Sequence, residues 1–427
     1  MKKVLIISPR FPPINAADMH RVRHSLPYFR QFGWEPVILT VKPEYVEGER
    51  EERLLNTFPA DVDVRRTEAL PTEWTRTLRV GNLALRALPY ALRQGDKIVR
   101  RENIDLVYFS TTAFPILALG RYWKTRFGVP YVIDMQDPWY SGTYDPDEAP
   151  SRFSKAWLAR QLGRVLEPLT MSAVDGIISV SNGYCEILQS RYDRVEPSMC
   201  EVIPFGAAQK DFDVLQSANV KNPIFDPGDE KTHVVQVGRA GPDMDRAAHC
   251  LFDALSTGRR ERPRLYENLR LHFVGTRYSQ EAPETMAPIA DEYGLGDLVH
   301  EQVARVPYFQ ALRLLRDADM LLLLGSTDPN YTASKLYPYI LAQRPLLTVF
   351  HENSSVVDIT QRTKAGTVVT YDNDEDTTGV AAAVESAWTP MLERLPYAPE
   401  TDWDAFQPYT AEAMTRRQAE VFDRVVA

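Results

Sequence analysis

Cysteine is scarce in this chain: 427 residues contain three, Cys185, Cys200 and Cys250. Widely spaced and odd in number, they argue against a disulfide framework and against a structural zinc site. Positive charge is short as well, with 49 Lys and Arg against 58 Asp and Glu and a net charge of −9. A nucleic-acid binder would carry a basic surplus, so no nucleic-acid partner is expected. No apolar run approaches the roughly 18 residues of a membrane span. At the start, Met1-Lys2-Lys3 is followed by only Val4–Ile7 before Pro9, Pro12 and Pro13. That run is too short for a signal peptide and reads as a first strand, so the expected compartment is the cytoplasm.

Familiar catalytic signatures are missing too. There is no G-x-S-x-G, no P-loop, and no G-x-G-x-x-G after the first strand. His20 and His24 stand at i, i+4 without a third ligand at metal-site spacing, so no metal is expected. The acidic stretch Asp372–Asp376 starts like a calcium loop but lacks its glycine and its closing glutamate.

What remains is an ordinary globular composition, 44% hydrophobic and 25% charged, in a chain long enough for two or three domains. Short apolar runs read as buried strands at Val4–Ile7, Trp34–Val41, Ile104–Phe109, Val129–Met135, Asp175–Val180 and Glu201–Pro204. A helix is expected over about Asp18–Phe32, kinked or split at Pro27 and stopped by Gly33. Between about 208 and 231 the pattern weakens, as an inter-domain linker would. A second series then runs through Val234–Val237, Met244–Leu255, Leu269–Val274, Leu298–Val306, Leu312–Leu315 and Leu321–Leu324. Alternating strands and helices of this kind build doubly wound parallel α/β sheets, whose ligands sit outside the carboxyl ends of the strands. Tyr409–Val426 is expected as a terminal helix that packs on something already built.

Chemistry should therefore gather where strands end. The stretch Gly325–Leu347 follows a four-leucine strand and opens a helix near Ser334 and Lys335. A lysine beside free helix N–H groups makes a phosphate seat. Gly238 and Arg239 close an earlier strand, and Arg239 could clamp the same diphosphate from the other side. In the first half, the Pro-rich loop through Pro13 and Asn15, with Arg10 and Arg21, is placed to face the crevice. Thr111 ends another strand. Asp137, just beyond Asp134, could accept a proton from an attacking hydroxyl, or serve only as a turn residue before Pro138. Two basic segments, 76–101 and 152–164, read either as helices with solvated basic faces or as peripheral contacts with an anionic membrane.

The segments VLIISPRFPP, DLVYFSTTAFP, VPYVIDMQDPW, VDGIISVSNGY, VIPFGA, VVQVGR, LHFVGT and ASKLYPYILAQRPLL, in this order and spacing, resemble the retaining GT-B glycosyltransferases of family four (group one). The resemblance spans nearly the whole chain. It implies two Rossmann-like domains across a central cleft, residues 1–213 on the acceptor side and 225–404 on the nucleotide-sugar side. The C-terminal helix, 405–427, would cross back to complete the first domain. It also implies a nucleoside-diphosphate sugar donor and a glycan or lipid-linked acceptor. No cofactor beyond the donor and no metal follow from it. Arg239 and Lys335 match the diphosphate pair, with Gly238, Gly275, Asn330, Thr332 and Ser334 on the donor side. Pro13, Asn15, Arg21, Thr111 and Asp137 fall on the acceptor side, Asp137 as a candidate catalytic group.

Two departures stand out. The family's paired glutamates fall at Asn330 and Pro338, and a proline offers no side-chain acceptor to a ribose. The second basic residue expected a few positions after Arg239 is also out of place, with Arg246 shifted from it. The expected activity is metal-independent sugar transfer with retention, peripheral at the inner membrane face if the basic segments dock there. The alternatives are a non-catalytic GT-B subunit that binds a nucleotide or a partner transferase, and a sugar-nucleotide epimerase.

Overall fold

A computed structural model describes residues 1–76, 81–139, 154–277, 281–328, 334–374 and 376–427. The contacts divide the chain into two compact units, residues 1–206 with 409–427, and residues 207–408. Residues 207–213 and 405–408 thus group with the second unit. The weak stretch between them is not bare linker, because Gln209–Ser217 is helical.

In the first unit the strands are β1 (Lys2–Ile7), β2 (Ile14–Asn15), β3 (Trp34–Val41), β4 (Glu49–Arg50), β5 (Asp63–Thr67), β6 (Leu106–Ser110), β7 (Tyr131–Met135), β8 (Gly176–Ser179) and β9 (Cys200–Val202). Seven form one sheet in the order β5-β3-β1-β6-β7-β8-β9, and β2 and β4 form a small antiparallel ribbon. The second unit holds β10 (Thr232–Val237), β11 (Leu269–Val274), β12 (Val299–Gln302), β13 (Met320–Leu324), β14 (Leu346–His351) and β15 (Thr367–Tyr371). Their order is β12-β11-β10-β13-β14-β15, and neighbours pair in parallel. Counted from its own first strand, the second sheet runs 3-2-1-4-5-6, the doubly wound order, and the first runs the same way with a seventh strand added, 3-2-1-4-5-6-7. Its reversal point lies between β1 and β6 in one unit and between β10 and β13 in the other.

Central strands are apolar on both faces because helices cover both. Leu5, Ile7, Phe109 and Trp123 lie in one layer of the first unit, and Val4, Ile6, Tyr108 and Phe422 in the opposite one. Gly95 lets the helix Leu83–Arg101 approach Trp123, whose ring lies 2.2 Å from where a Cβ would stand. The terminal helix Ala411–Val426 belongs to this unit. Phe422 lies 5.9 Å from Phe29, 5.4 Å from Trp34 and 5.0 Å from Tyr108, ring centre to ring centre.

Several expectations need correction. The helix expected over 18–32 is a short turn, a helix at His20–Ser25 and another turn at Phe29–Phe32. Pro27 falls in the break, and Gly33 ends the segment at φ +83°. Cys185 and Cys200 form a disulfide that ties the helix Asn182–Arg191 to β9, while Cys250 is free and buried. Distance along the chain concealed this pair, since the helix folds back and brings the two Cα atoms to 6.2 Å. In a reducing compartment the same pair would be two thiols. Of the basic segment 76–101, Arg86 is buried and donates to the carbonyls of Leu70 (2.9 Å) and Tyr45 (2.8 Å). Arg93, Lys97, Arg100 and Arg101 are exposed. Residues 77–80, 152 and 153 lie outside the described residues. No helix among the described residues is long and apolar enough to cross a membrane.

Candidate functional site

The carboxyl end of β10 leads straight into Gly238, at φ +129°. A Cβ there would fall 2.2 Å from Lys335 Nζ and 2.7 Å from its Cδ and Cε, so the missing side chain makes the seat of the lysine. Delivery of Lys335 to that seat has a visible cause. The Tyr339 hydroxyl accepts from Val237 N at 2.6 Å and donates to Val237 O at 3.0 Å. These bonds fasten the helix Leu336–Leu341 to β10, and Lys335 stands at the head of that helix. With only six residues the helix offers a weak terminus, and Ser334 beside it is exposed. Lysine charge rather than helix dipole dominates here.

Arg239 Nη2 is ion-paired with Asp243. Burial alone would raise the Asp243 carboxyl, but hydrogen bonds from Arg239 and Ser326 hold it below the ordinary carboxylate value. Asp243 O also accepts from Thr327 N at 2.9 Å, which joins the loop after β13 to the loop after β10. A third cation completes the cluster. Gly275 ends β11 at φ +73°, and its absent Cβ would lie 3.4 Å from Arg305 Cγ. Lys335 keeps some solvent exposure, yet enough protein surrounds its ammonium to lower its pKa to about 8. Burial is the chief cause, followed by Arg305 and then Arg239. A lysine enclosed by protein and pressed by two arginines favours an anionic ligand.

The structure thus brings together Gly238, Arg239, Gly275 and Lys335 from the sequence reading and adds Arg305 and Asp243, which it missed. Arg246, the shifted basic candidate, instead lies 5.8 Å over the Tyr371 ring. Asn330 and Thr332 lie outside the described residues. Pro338 sits inside the Leu336–Leu341 helix.

The first unit shows a different site at its own reversal point. Asp18 Oδ2 accepts from Arg10 Nη1 (2.9 Å), Thr111 Oγ1 (2.9 Å), Thr112 N (3.1 Å) and Thr112 Oγ1 (3.3 Å). Gln136 Nε2 donates to Asp18 O (3.2 Å), Ser110 Oγ (3.0 Å) and Asp134 Oδ2 (2.7 Å). Asp137 is exposed above this layer. The surrounding protein and, secondly, the Asp18 charge still raise its carboxyl above the ordinary 3.8.

Arg21 corrects the sequence reading. Side chain and partner are both 0% exposed, with Arg21 Nε 2.8 Å from Asp134 Oδ2. Its other nitrogens donate to Ile203 O (2.7 Å) and Pro204 O (3.3 Å). An arginine so enclosed by partners within the chain holds the fold rather than facing the crevice. Pro13 and Asn15 are likewise fixed by backbone, through Glu51 N donating to Pro13 O at 2.7 Å and through the β2–β4 ribbon. Asp18 was missed because it follows no apolar strand run, and Gln136, which directly follows β7, because the acids Asp134 and Asp137 on either side of it drew the chemical reading.

Two doubly wound parallel units, with the terminal helix returned to the first, define the GT-B class of fold. Within it, residues 20–206 match the family model of the glycosyl transferase 4-like domain. No curated protein matches the chain. Among solved structures, Anabaena HepE in complex with UDP and glucose is similar at 16% identity and a TM-score of 0.56, over 99% of this chain and 100% of that one. Sucrose-phosphate synthase from Thermosynechococcus elongatus follows at 14% identity and 0.54, over 99% of both chains. A UDP-N-acetylglucosamine 2-epimerase from Listeria monocytogenes reaches 12% and 0.51, over 98% of this chain and 95% of that one. The architecture is therefore common to transferases and epimerases, and the reaction has to be argued from the site.

Proposed function

We propose that the protein is a glycosyltransferase that moves a sugar from a nucleoside-diphosphate sugar to a hydroxyl acceptor in glycan or glycoconjugate synthesis, without a metal and with retention. The observation that carries this reading is the cluster of Lys335, Arg239 and Arg305 at the carboxyl ends of the second sheet. Negative charge grows on the leaving diphosphate as the sugar departs, and fixed cations stabilise that state more than the intact donor. The UDP-bound HepE and the glycosyl transferase 4-like match support the same reading. On the acceptor side, Asp137, with its raised carboxyl beside Asp18, is the group offered to an incoming hydroxyl.

The full chain incubated with UDP-, GDP- and dTDP-sugars, with and without EDTA, tests this. Release of nucleoside diphosphate and transfer to an added glycan or lipid-linked acceptor are expected, unchanged by EDTA and with the anomeric configuration kept. Binding without release would identify a non-catalytic subunit. Pro338, which denies the ribose a side-chain acceptor, is the observation that favours that second reading. Epimerised donor in the absence of acceptor would identify an epimerase.

The same reading includes peripheral contact with an anionic membrane. On the helix Lys155–Met171, Val165 is 67% and Leu169 39% exposed beside exposed Arg164. Co-sedimentation with phosphatidylglycerol vesicles, and its absence with phosphatidylcholine, is the expected result.

A further inference from the structure

We propose that the Cys185–Cys200 bond is a reversible redox latch, which sets how firmly the edge strand β9 holds the terminal helix and Arg21. β9 is three residues long and stands last in its sheet, paired with β8 through Ile177↔Cys200, Ile178↔Glu201 and Ser179↔Val202. So short an edge has little ladder of its own to keep it closed. Its contacts nevertheless reach far along the chain. Glu201 Oε1 and Val202 O each accept from Arg417 Nη2 at 2.7 Å, and Glu201 Oε2 accepts from Arg424 Nη2 at 3.1 Å. Just beyond, Gly206 packs so near the terminal helix that a Cβ there would lie 2.6 Å from Ala411 Cα. The carbonyls of Ile203 and Pro204 meet Arg21, whose partner Asp134 also accepts from Gln136. One strand of the first unit thereby links the terminal helix to the polar layer beside Asp137.

The sulfur bond fastens this strand from its other side. It ties Cys200, the first residue of β9, to the helix Asn182–Arg191 across 15 residues of chain. A closed loop removes conformations from the loosened strand, so the strand opens less readily while the bond is intact. The two sulfurs differ in access, since Cys185 is 3% exposed and Cys200 is half-buried at the sheet edge. A dithiol reductant, as its thiolate, therefore attacks Sγ of Cys200. The S–S bond breaks, Cys185 leaves as a thiolate and takes a proton, and Cys200 is held as a mixed disulfide. The reductant's second sulfur then displaces Cys200 and closes the reductant's own disulfide. Two electrons and two protons have passed from the dithiol to the two cysteines. Oxidised glutathione, a low-molecular-weight disulfide, reverses the exchange and leaves as two glutathione thiols.

Hydrogen exchange of the full chain, read by mass spectrometry on protein held with oxidised glutathione or with dithiothreitol, tests this. Alkylation under denaturing conditions should count one thiol in the first state and three in the second. Amides of β9 and of the terminal helix Ala411–Val426 should exchange about 10- to 100-fold faster after reduction. Those of β5, at the opposite edge of the same sheet, and of β10 in the second unit should change by less than about twofold. Return to oxidised glutathione should restore slow exchange. Cys185→Ser/Cys200→Ser should exchange fast in both states, and Cys250→Ser should respond as wild type. Three thiols in both states, or a bond that dithiothreitol does not open in the folded chain, would overturn this inference. So would a terminal helix that exchanges alike in both states, or an equal gain over β5 and β9, which would make the bond a general brace. If the double variant does not fold, the wild type in its two states still carries the test.

Discussion

One strand order builds both units, yet the carboxyl ends of their strands carry different chemistry. In the first, the charges are used up within the fold. Arg21 and Asp134 face each other with no exposure, and Asp18 draws four donors. In the second, Lys335 is pressed by Arg305 and Arg239, with Asp243 paired to one of them. Satisfied charge fixes a shape, whereas an enclosed lysine pressed by like charges favours an anionic ligand. A polar residue at a strand end is thus read as a ligand contact only after its partners within the chain have been found. Arg21 and Lys335 occupy corresponding places in the sequence argument and take opposite roles.

The widest break in the comparison comes from Arg21→Ala. It leaves Asp134 buried without its cation, and the unfolding free energy should drop by about 3–5 kcal/mol. Urea denaturation of the full chain checks this; a loss below about 1 kcal/mol would show that the pair does not hold the first unit.

Next is Lys335→Ala, which should act on chemistry and leave the fold intact. Loss of a charge that faces the leaving group costs on the order of 10²–10³ in kcat. The lysine also predicts its own pH dependence. Its pKa is about 8 in the folded chain against the ordinary 10.5. Between those values the unfolded chain binds the proton and the folded chain does not, so the lysine makes stability rise with pH across that window. Diphosphate affinity should fall over the same rise, as the ammonium is lost above about pH 8. Both trends should be absent in the variant, read by calorimetry and by denaturation at pH 7 and pH 9.5. A somewhat smaller effect is expected from Gly238→Ala, in which the new methyl displaces the lysine chain and strains a φ of +129°. Diphosphate affinity should fall by about tenfold.

Legibility of the sequence follows the same divide. Strands, their order of appearance and the glycine that ends β10 could be read because buried parallel strands are short apolar runs closed by turn residues. Arg239 was legible for that reason, since it is adjacent to such a closure, and Lys335 because it heads the helix that follows one. The burial of Arg21 was not, because it is decided by Asp134, 113 residues away, and by the carbonyls of Ile203 and Pro204. Arg305 was hidden in a loop without glycine or repeated charge, and what reveals it is the φ of Gly275 thirty residues earlier. Pairing of Cys185 with Cys200 depended on the return of one helix. In each case a local pattern was readable and a contact across the fold was not.

The smallest effect concerns Asp137, an exposed carboxyl of the first unit. Its carboxyl is raised first by burial and then by Asp18. The folded chain therefore binds the proton more tightly than the unfolded one, and stability declines as pH rises from 3.8 toward the folded value. Asp137→Asn removes that penalty, so at pH 7 the variant should melt no lower than the wild type. If the carboxylate takes part in transfer, kcat should nevertheless drop by about tenfold or more, and the acid limb of the wild-type rate profile should disappear. Asp18→Asn sharpens the point, because without the Asp18 charge the acid limb should move to lower pH while Asp137 remains. An acid limb unchanged in both variants would mean that Asp137 belongs with Arg21 among the residues of structure, and that the acceptor hydroxyl loses its proton to another group.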